Sequence, residues 1–167
     1  CIDPANHLTP DMFEQHVRYL VAHRRVISLT ELVEHLQRGE AFPHGTVVIT
    51  FDDGYLDNLT VAAPILARYG LPATLFLPTG QIDRGETQWI DTVYSIFQFR
   101  THSVLSNVGP VAGTFDLQDP SQSESAYRQE CAALLMSSYS DRSELLRLIQ
   151  DQLQPSQLPT RLTMNWD

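Results

Sequence analysis

Thr50-Phe51-Asp52-Asp53-Gly54, at the end of the apolar run Val47-Val48-Ile49, is the stretch that decides how this chain reads. Three consecutive β-branched residues are the pattern of a strand covered on both faces. That strand stops at two adjacent carboxylates and a glycine. Burying an unpaired carboxylate costs several kcal/mol. Asp52 and Asp53 are therefore expected to meet a metal, hydrogen bonds or water at the strand end, with Gly54 allowing a sharp turn.

Working outward, Thr9-Pro10-Asp11 reads as a helix start, followed by Phe13, Val17, Leu20 and Val21 on one face. Val26-Ile27-Ser28-Leu29 predicts a short strand. A helix from about Thr30 would turn Leu32, Val33 and Leu36 inward and stop at Gly39. Past the acidic turn, Asn58 can cap a helix through Val61, Ala62, Ile65 and Leu66 that ends at Gly70, with Pro64 tolerable only near its first turn. Leu71 to Leu77 gives a further strand, closed by Pro78-Thr79-Gly80. Strand and helix alternate over residues 26–77, which implies an α/β chain with parallel strands and helical crossovers.

From about Thr92 the pattern changes. Val93, Ile96 and Phe97 suit a short helix, and the polar stretch to Pro120 can hold a hairpin. Ser121-Gln122-Ser123-Glu124 reads as a capping box opening a helix with Tyr127, Cys131, Leu134 and Leu135 on one face. Asp141 to Glu144 opens another, with Leu145, Leu148, Ile149 and Leu153 inward and Pro155 as the stop.

Composition narrows the function. Twenty acidic against eleven basic residues give a net charge of −9, and all eleven basic residues are Arg. No nucleic-acid partner is expected of such a chain, because a basic patch supplies that affinity. Without a lysine there is neither a Walker-type phosphate loop nor a Schiff base. Cys1 and Cys131 make no disulfide framework, no apolar run approaches a membrane span, and a Cys at position 1 predicts missing upstream sequence rather than a lipid-modified terminus.

Carboxylates at the C-terminal end of a parallel strand sit where α/β enzymes place their sites. Adjacent side chains leaving a strand point differently, so one Asp can ligate a divalent cation while the other takes a proton from water. An EF-hand does not fit: counting from Asp52, the sixth residue is Asp57 and the twelfth Ala63. An ordinary strand-to-helix turn, its acids capping backbone N–H groups, stays open beside the catalytic reading. Asp57 and Asn58 read as structural.

Thr50 to Asn58 resembles the first motif of the polysaccharide deacetylase family, the NodB-type domain of carbohydrate esterase family 4. Leu8-Thr9-Pro10, Val26 to Leu32, Ala63 to Leu66 and Tyr69 to Leu77 are similar to its flanking segments. Trp89-Ile90-Asp91 and Met164 to Asp167 are similar to segments flanking a helical insertion in some members. The resemblance implies part of a distorted (β/α) barrel, with residues 1–91 its N-terminal part, 92–162 a mainly helical insertion and 163–167 the start of the next element of a truncated domain. It makes Asp52 the general base and Asp53 a ligand of a divalent metal, most often zinc. The implied reaction removes N-acetyl, less often O-acetyl, groups from a polysaccharide or oligosaccharide, and such substrates favour the cell envelope or exterior.

The family draws two more ligands from a His-x-x-x-His motif, and none of His7, His16, His23, His35, His44 and His102 forms such a pair. His16, His23 and His35 read as exposed helix residues, and His7 and His44 as loop residues. The resemblance therefore implies a fragment: inactive alone, weak in zinc binding, and prone to aggregate through open sheet edges. A non-catalytic NodB-like domain that binds glycan or protein is the alternative.

Overall fold

The computed structural model describes residues 8–160 and 162–166, so Cys1 and His7 lie outside the described residues. The described residues pack as two units: Thr87–Thr160, and residues 8–86 together with 162–166.

In the second of these, α1 (Pro10–His23) starts as its sequence predicts, with Thr9 Oγ1 accepting from Met12 N at 3.2 Å. Val17 is buried on it, whereas Val21, expected inward, is exposed. Strand β1 is Arg25–Val26 alone. Ser28, expected in that strand, instead caps α2 (Leu29–Arg38) by accepting from Glu31 N at 3.0 Å, and Gly39 at φ 66 ends the helix. No residue of α2 is buried. Val33 and Leu36 face solvent although their spacing is that of an inward stripe.

The apolar run before the acidic turn is two short strands, β2 (Thr46–Val47) and β3 (Thr50–Phe51). β2 pairs in parallel with β1, and β3 pairs in parallel with β4 (Thr74–Leu75). Val47 O accepts from Ile27 N, while Ile49 O accepts from Thr74 N. Carbonyls two residues apart on a regular strand face the same neighbour, so the chain changes partner at Val48. Its residues are half-buried, not covered on both faces. Ile49 and Phe51 pack on a cluster of Val17, Ile65 and Leu66, with Phe13, Val61, Tyr69 and Leu71 around it.

Between β3 and β4 the helix runs from Leu56 to Arg68, with a π-helical turn at Asn58–Ala62 before α3 (Ala63–Arg68). Asn58 lies inside it and caps nothing. The wide turn, in which Ala63 N–H reaches back to Asn58 O, makes room for Pro64, whose ring would otherwise press on the carbonyl four residues earlier. Glu14 ties α1 to α3 by accepting from Tyr69 Oη at 2.7 Å, Arg68 at 2.8 Å and Arg18 at 3.0 Å. Pro78, read as closing a strand, precedes a further helix, α4 (Thr79–Arg84), that the sequence did not announce.

The other unit holds α5 (Trp89–Gln98), an antiparallel hairpin of β5 (Val104–Val108) and β6 (Val111–Asp116), α6 (Pro120–Met136) and α7 (Tyr139–Leu153). Its core includes Val93, Ile96, Leu105, Leu117, Leu134, Ile149 and Leu153. Asp119, with Pro120 at the first helical position, caps α6 by accepting from Ser121 N at 2.8 Å, so the expected capping box lies inside the helix. Ser138 caps α7, three residues before the expected start at Asp141. On α6 the buried residues are Ala126, Glu130 and Leu134, and Leu135 is exposed. Both Glu130 carboxylate oxygens lack a hydrogen-bond partner among the described residues, and burial pushes the group up to about 7. Among the described residues no helix is long and apolar enough to cross a membrane.

Candidate active site at the acidic turn

Strand β3 delivers the turn. Phe51 O accepts from Phe76 N at 2.8 Å, the last rung of the parallel pair, and the chain then leaves the sheet. Gly54 N donates to Asp52 O at 2.9 Å, closing a three-residue turn around Asp53. Asp53 has φ 65 and Gly54 φ 60, two successive residues in the left-handed region. Asp tolerates that region better than most residues, yet it still costs about 1 kcal/mol, strain of a kind often found at functional sites.

Gly54 is the one buried residue of the turn. A Cβ there would stand 3.1 Å from Pro78 Cδ and 3.2 Å from Leu77 Cδ2, so only glycine fits both the backbone and the space. Its carbonyl accepts from Met164 N at 2.8 Å, and Leu56 N donates to Leu162 O at 2.8 Å, with Tyr55 and Thr163 bridged antiparallel between them. Thr163 Oγ1 in turn donates to Glu86 O at 3.2 Å, and Trp166 Nε1 to the Asp83 carboxylate at 2.8 Å. A segment more than a hundred residues downstream thus clamps the turn. In the sequence Met164 to Asp167 stands out only by its resemblance to a family segment, and no local signal ties it to Gly54.

Both carboxylates are exposed. The desolvation cost expected of Asp52 and Asp53 therefore does not arise, because the strand ends at the surface and water reaches both groups. Two solvated carboxylates on a tightly held backbone can accept a proton and offer oxygen ligands to a cation. Asp57, also exposed, lies in the first turn of the following helix.

No three His, Cys, Asp or Glu side chains converge as a metal site among the described residues. His16, His23 and His44 are exposed. His35, expected to be exposed, is half-buried, with its ring 5.1 Å from Phe42 and Nδ1 3.2 Å from Glu40. His102 Nδ1 lies 3.1 Å from Gln152 O in the other unit. A catalytic zinc takes three protein ligands and a water, and these residues do not make that set.

The sequence profile of the family described as polysaccharide deacetylase matches residues 39–132, which include the acidic turn and exceed half of the chain. The chain belongs to the polysaccharide deacetylase family. Among curated relatives, the poly-β-1,6-N-acetyl-D-glucosamine N-deacetylase of Staphylococcus epidermidis is 34% identical over 76 residues, which is 45% of this chain and 26% of that protein. The enzyme of the same name from Staphylococcus aureus (strain N315) is 27% identical over 107 residues, 58% of this chain and 37% of that protein. The chain thus spans well under half the length of these relatives. Among solved structures, the Streptococcus pyogenes deacetylase PplD in complex with acetate is 30% identical with a TM-score of 0.43, covering 52% of this chain and 42% of that one.

Proposed function

We propose that this protein is a metal-dependent carbohydrate deacetylase, a hydrolase that removes N-acetyl or O-acetyl groups from a polysaccharide or oligosaccharide. The observation that carries the reading is the Asp52-Asp53 pair, exposed on a strained, clamped turn at the C-terminal end of a parallel strand. Membership of the polysaccharide deacetylase family supports it, as do the names of the staphylococcal relatives. Two parallel strand pairs with helical crossovers suit part of a distorted (β/α) barrel.

Asp52 is the general base: its carboxylate takes a proton from the water that attacks the acetyl carbonyl. The C–N bond then breaks, acetate leaves, and the amine takes up a proton. Asp53 offers one carboxylate to a divalent cation, zinc in this proposal, which when bound lowers the pKa of water and polarises a carbonyl. The described residues do not complete the ligand set, so residues 1–167 alone are expected to bind zinc weakly and not to turn over. The substrate class favours the cell envelope or the exterior.

The test is acetate release from N-acetylglucosamine oligomers by protein expressed from its complete reading frame. Asp52→Asn is expected to lower the rate at least about a hundredfold. Release that survives both this substitution and EDTA would overturn the reading. Glycan retention without acetate release, indifferent to chelator, would instead identify a non-catalytic glycan-binding domain.

A further inference from the structure

A cleft of about 410 Å³ lies wholly within the unit Thr87–Thr160 and shares no residue with the acidic turn. Its volume falls within the roughly 300–1,000 Å³ of small-ligand sites. Tyr94 on α5 and Tyr127 on α6 form its aromatic wall, and Gln98, Arg100 and Gln118 bring polar groups to it. Tyr127 is held edge-on to Phe97 at 5.3 Å and 71°, and to Tyr94 at 6.5 Å and 79°. Both tyrosines are half-buried, presenting part of a ring on a fixed support.

Arg100 supplies the polar centre. Its guanidinium donates to Phe97 O and, at 2.6 Å, to Leu117 O, which fixes its plane between the end of α5 and the approach to α6. No carboxylate pairs with it among the described residues, and Glu124, the acid that lines the cleft, is engaged by Arg128. A guanidinium has five N–H donors, so a preorganised donor set remains for a ligand oxygen.

A purely apolar ligand would answer neither the remaining guanidinium N–H groups nor the Gln98 amide, while the Gln118 amide already donates to Ser103 Oγ at 3.5 Å. A polyanion would meet a unit with eight acidic residues and four arginines. A neutral pyranose ring satisfies each wall: its C–H face lies against an aromatic ring, its hydroxyls meet the Gln98 and Gln118 amides, and an acetamido carbonyl accepts from Arg100.

We infer that this cleft binds one or two residues of a neutral, N-acetylated sugar chain, as a subsite separate from the acidic turn. The choice of ligand rests on the deacetylase reading above.

The test is a titration of the full chain carrying Asp52→Asn with a β-linked N-acetylglucosamine tetramer, followed by backbone amide NMR. Shifts are expected at Tyr94, Gln98, Gln118 and Tyr127. Tyr127→Ala should weaken binding roughly tenfold. Because that change touches the core, Gln98→Ala with Gln118→Ala provides a second variant at two exposed positions, expected to weaken binding with the far-UV spectrum unchanged. Absence of cleft shifts up to millimolar tetramer, or equal shifts from the de-N-acetylated tetramer, overturns the inference. Cleft shifts, with no acetate release by the protein that retains Asp52, leave the inference standing while the proposed activity falls. Acetate release without cleft shifts sinks the inference alone.

Discussion

Replacing Glu130 by leucine is expected to stabilise the helical unit, and to do so most above neutral pH. Glu130 has no exposed surface and no hydrogen-bond partner for either carboxylate oxygen among the described residues. Burial raises it from 4.5 to about 7, so the native state holds a proton that the unfolded chain has already released. The sign follows: the group's contribution is full below pH 4.5, declines as pH rises, and is lost once pH passes about 7. At about 1.4 kcal/mol per tenfold difference in proton affinity, the loss is about 3 kcal/mol at most. Leucine carries no such dependence and joins Ala126 and Leu134 in the same core. The assay is urea unfolding from pH 5 to 8.5 in a Trp166→Phe background, so that Trp89 reports on its own unit. At pH 8 the Glu130→Leu midpoint should rise by about 1 M or more, with the difference shrinking toward pH 5. Midpoints of the two proteins that run parallel across this range would refute the reasoning.

Gly54→Ala forces a Cβ against Pro78 and Leu77 at a left-handed φ; a loss of about 1–3 kcal/mol by denaturant titration is expected. Met164→Pro removes the N–H that Gly54 O accepts; faster proteolytic cleavage near residues 52–58 than in the wild type is the expected readout. Ser138→Ala deletes the cap of α7 and should cost about 1 kcal/mol by the same titration. Asp119 is held down at about 2, first by its Ser121 hydrogen bond and then by Gln122, so its contribution is present above pH 3.8 and lost as pH falls toward 2. Asp119→Ala should lower the melting temperature at pH 7 and leave it nearly unchanged at pH 2, as read by circular dichroism.

The alternation of strand and helix over residues 26–77 was legible because local signals agree there: the Gly39 stop and β-branched runs set between helical faces. The helices and hairpin of the 87–160 unit were legible for the same reason. Periodicity was less reliable about phase. On α6 it favoured Tyr127, Cys131, Leu134 and Leu135, whereas packing buries Ala126, Glu130 and Leu134, because the neighbouring elements select among adjacent stripes. On α2 an apolar stripe exists and stays exposed at Val33 and Leu36.

At the acidic turn the division is sharp. Residue types and their order alone determined that a strand ends in two carboxylates and a glycine, and which family this resembles. Tertiary structure decided the rest: that the carboxylates are solvated, that Asp53 carries a positive φ, and that Gly54 is walled in by Leu77 and Pro78. It also decided that Leu162 and Met164 hold the turn through backbone hydrogen bonds. Backbone N–H and C=O groups are the same in every residue but proline, so a pairing across more than a hundred residues leaves no mark in side-chain pattern; it exists only once the chain has folded.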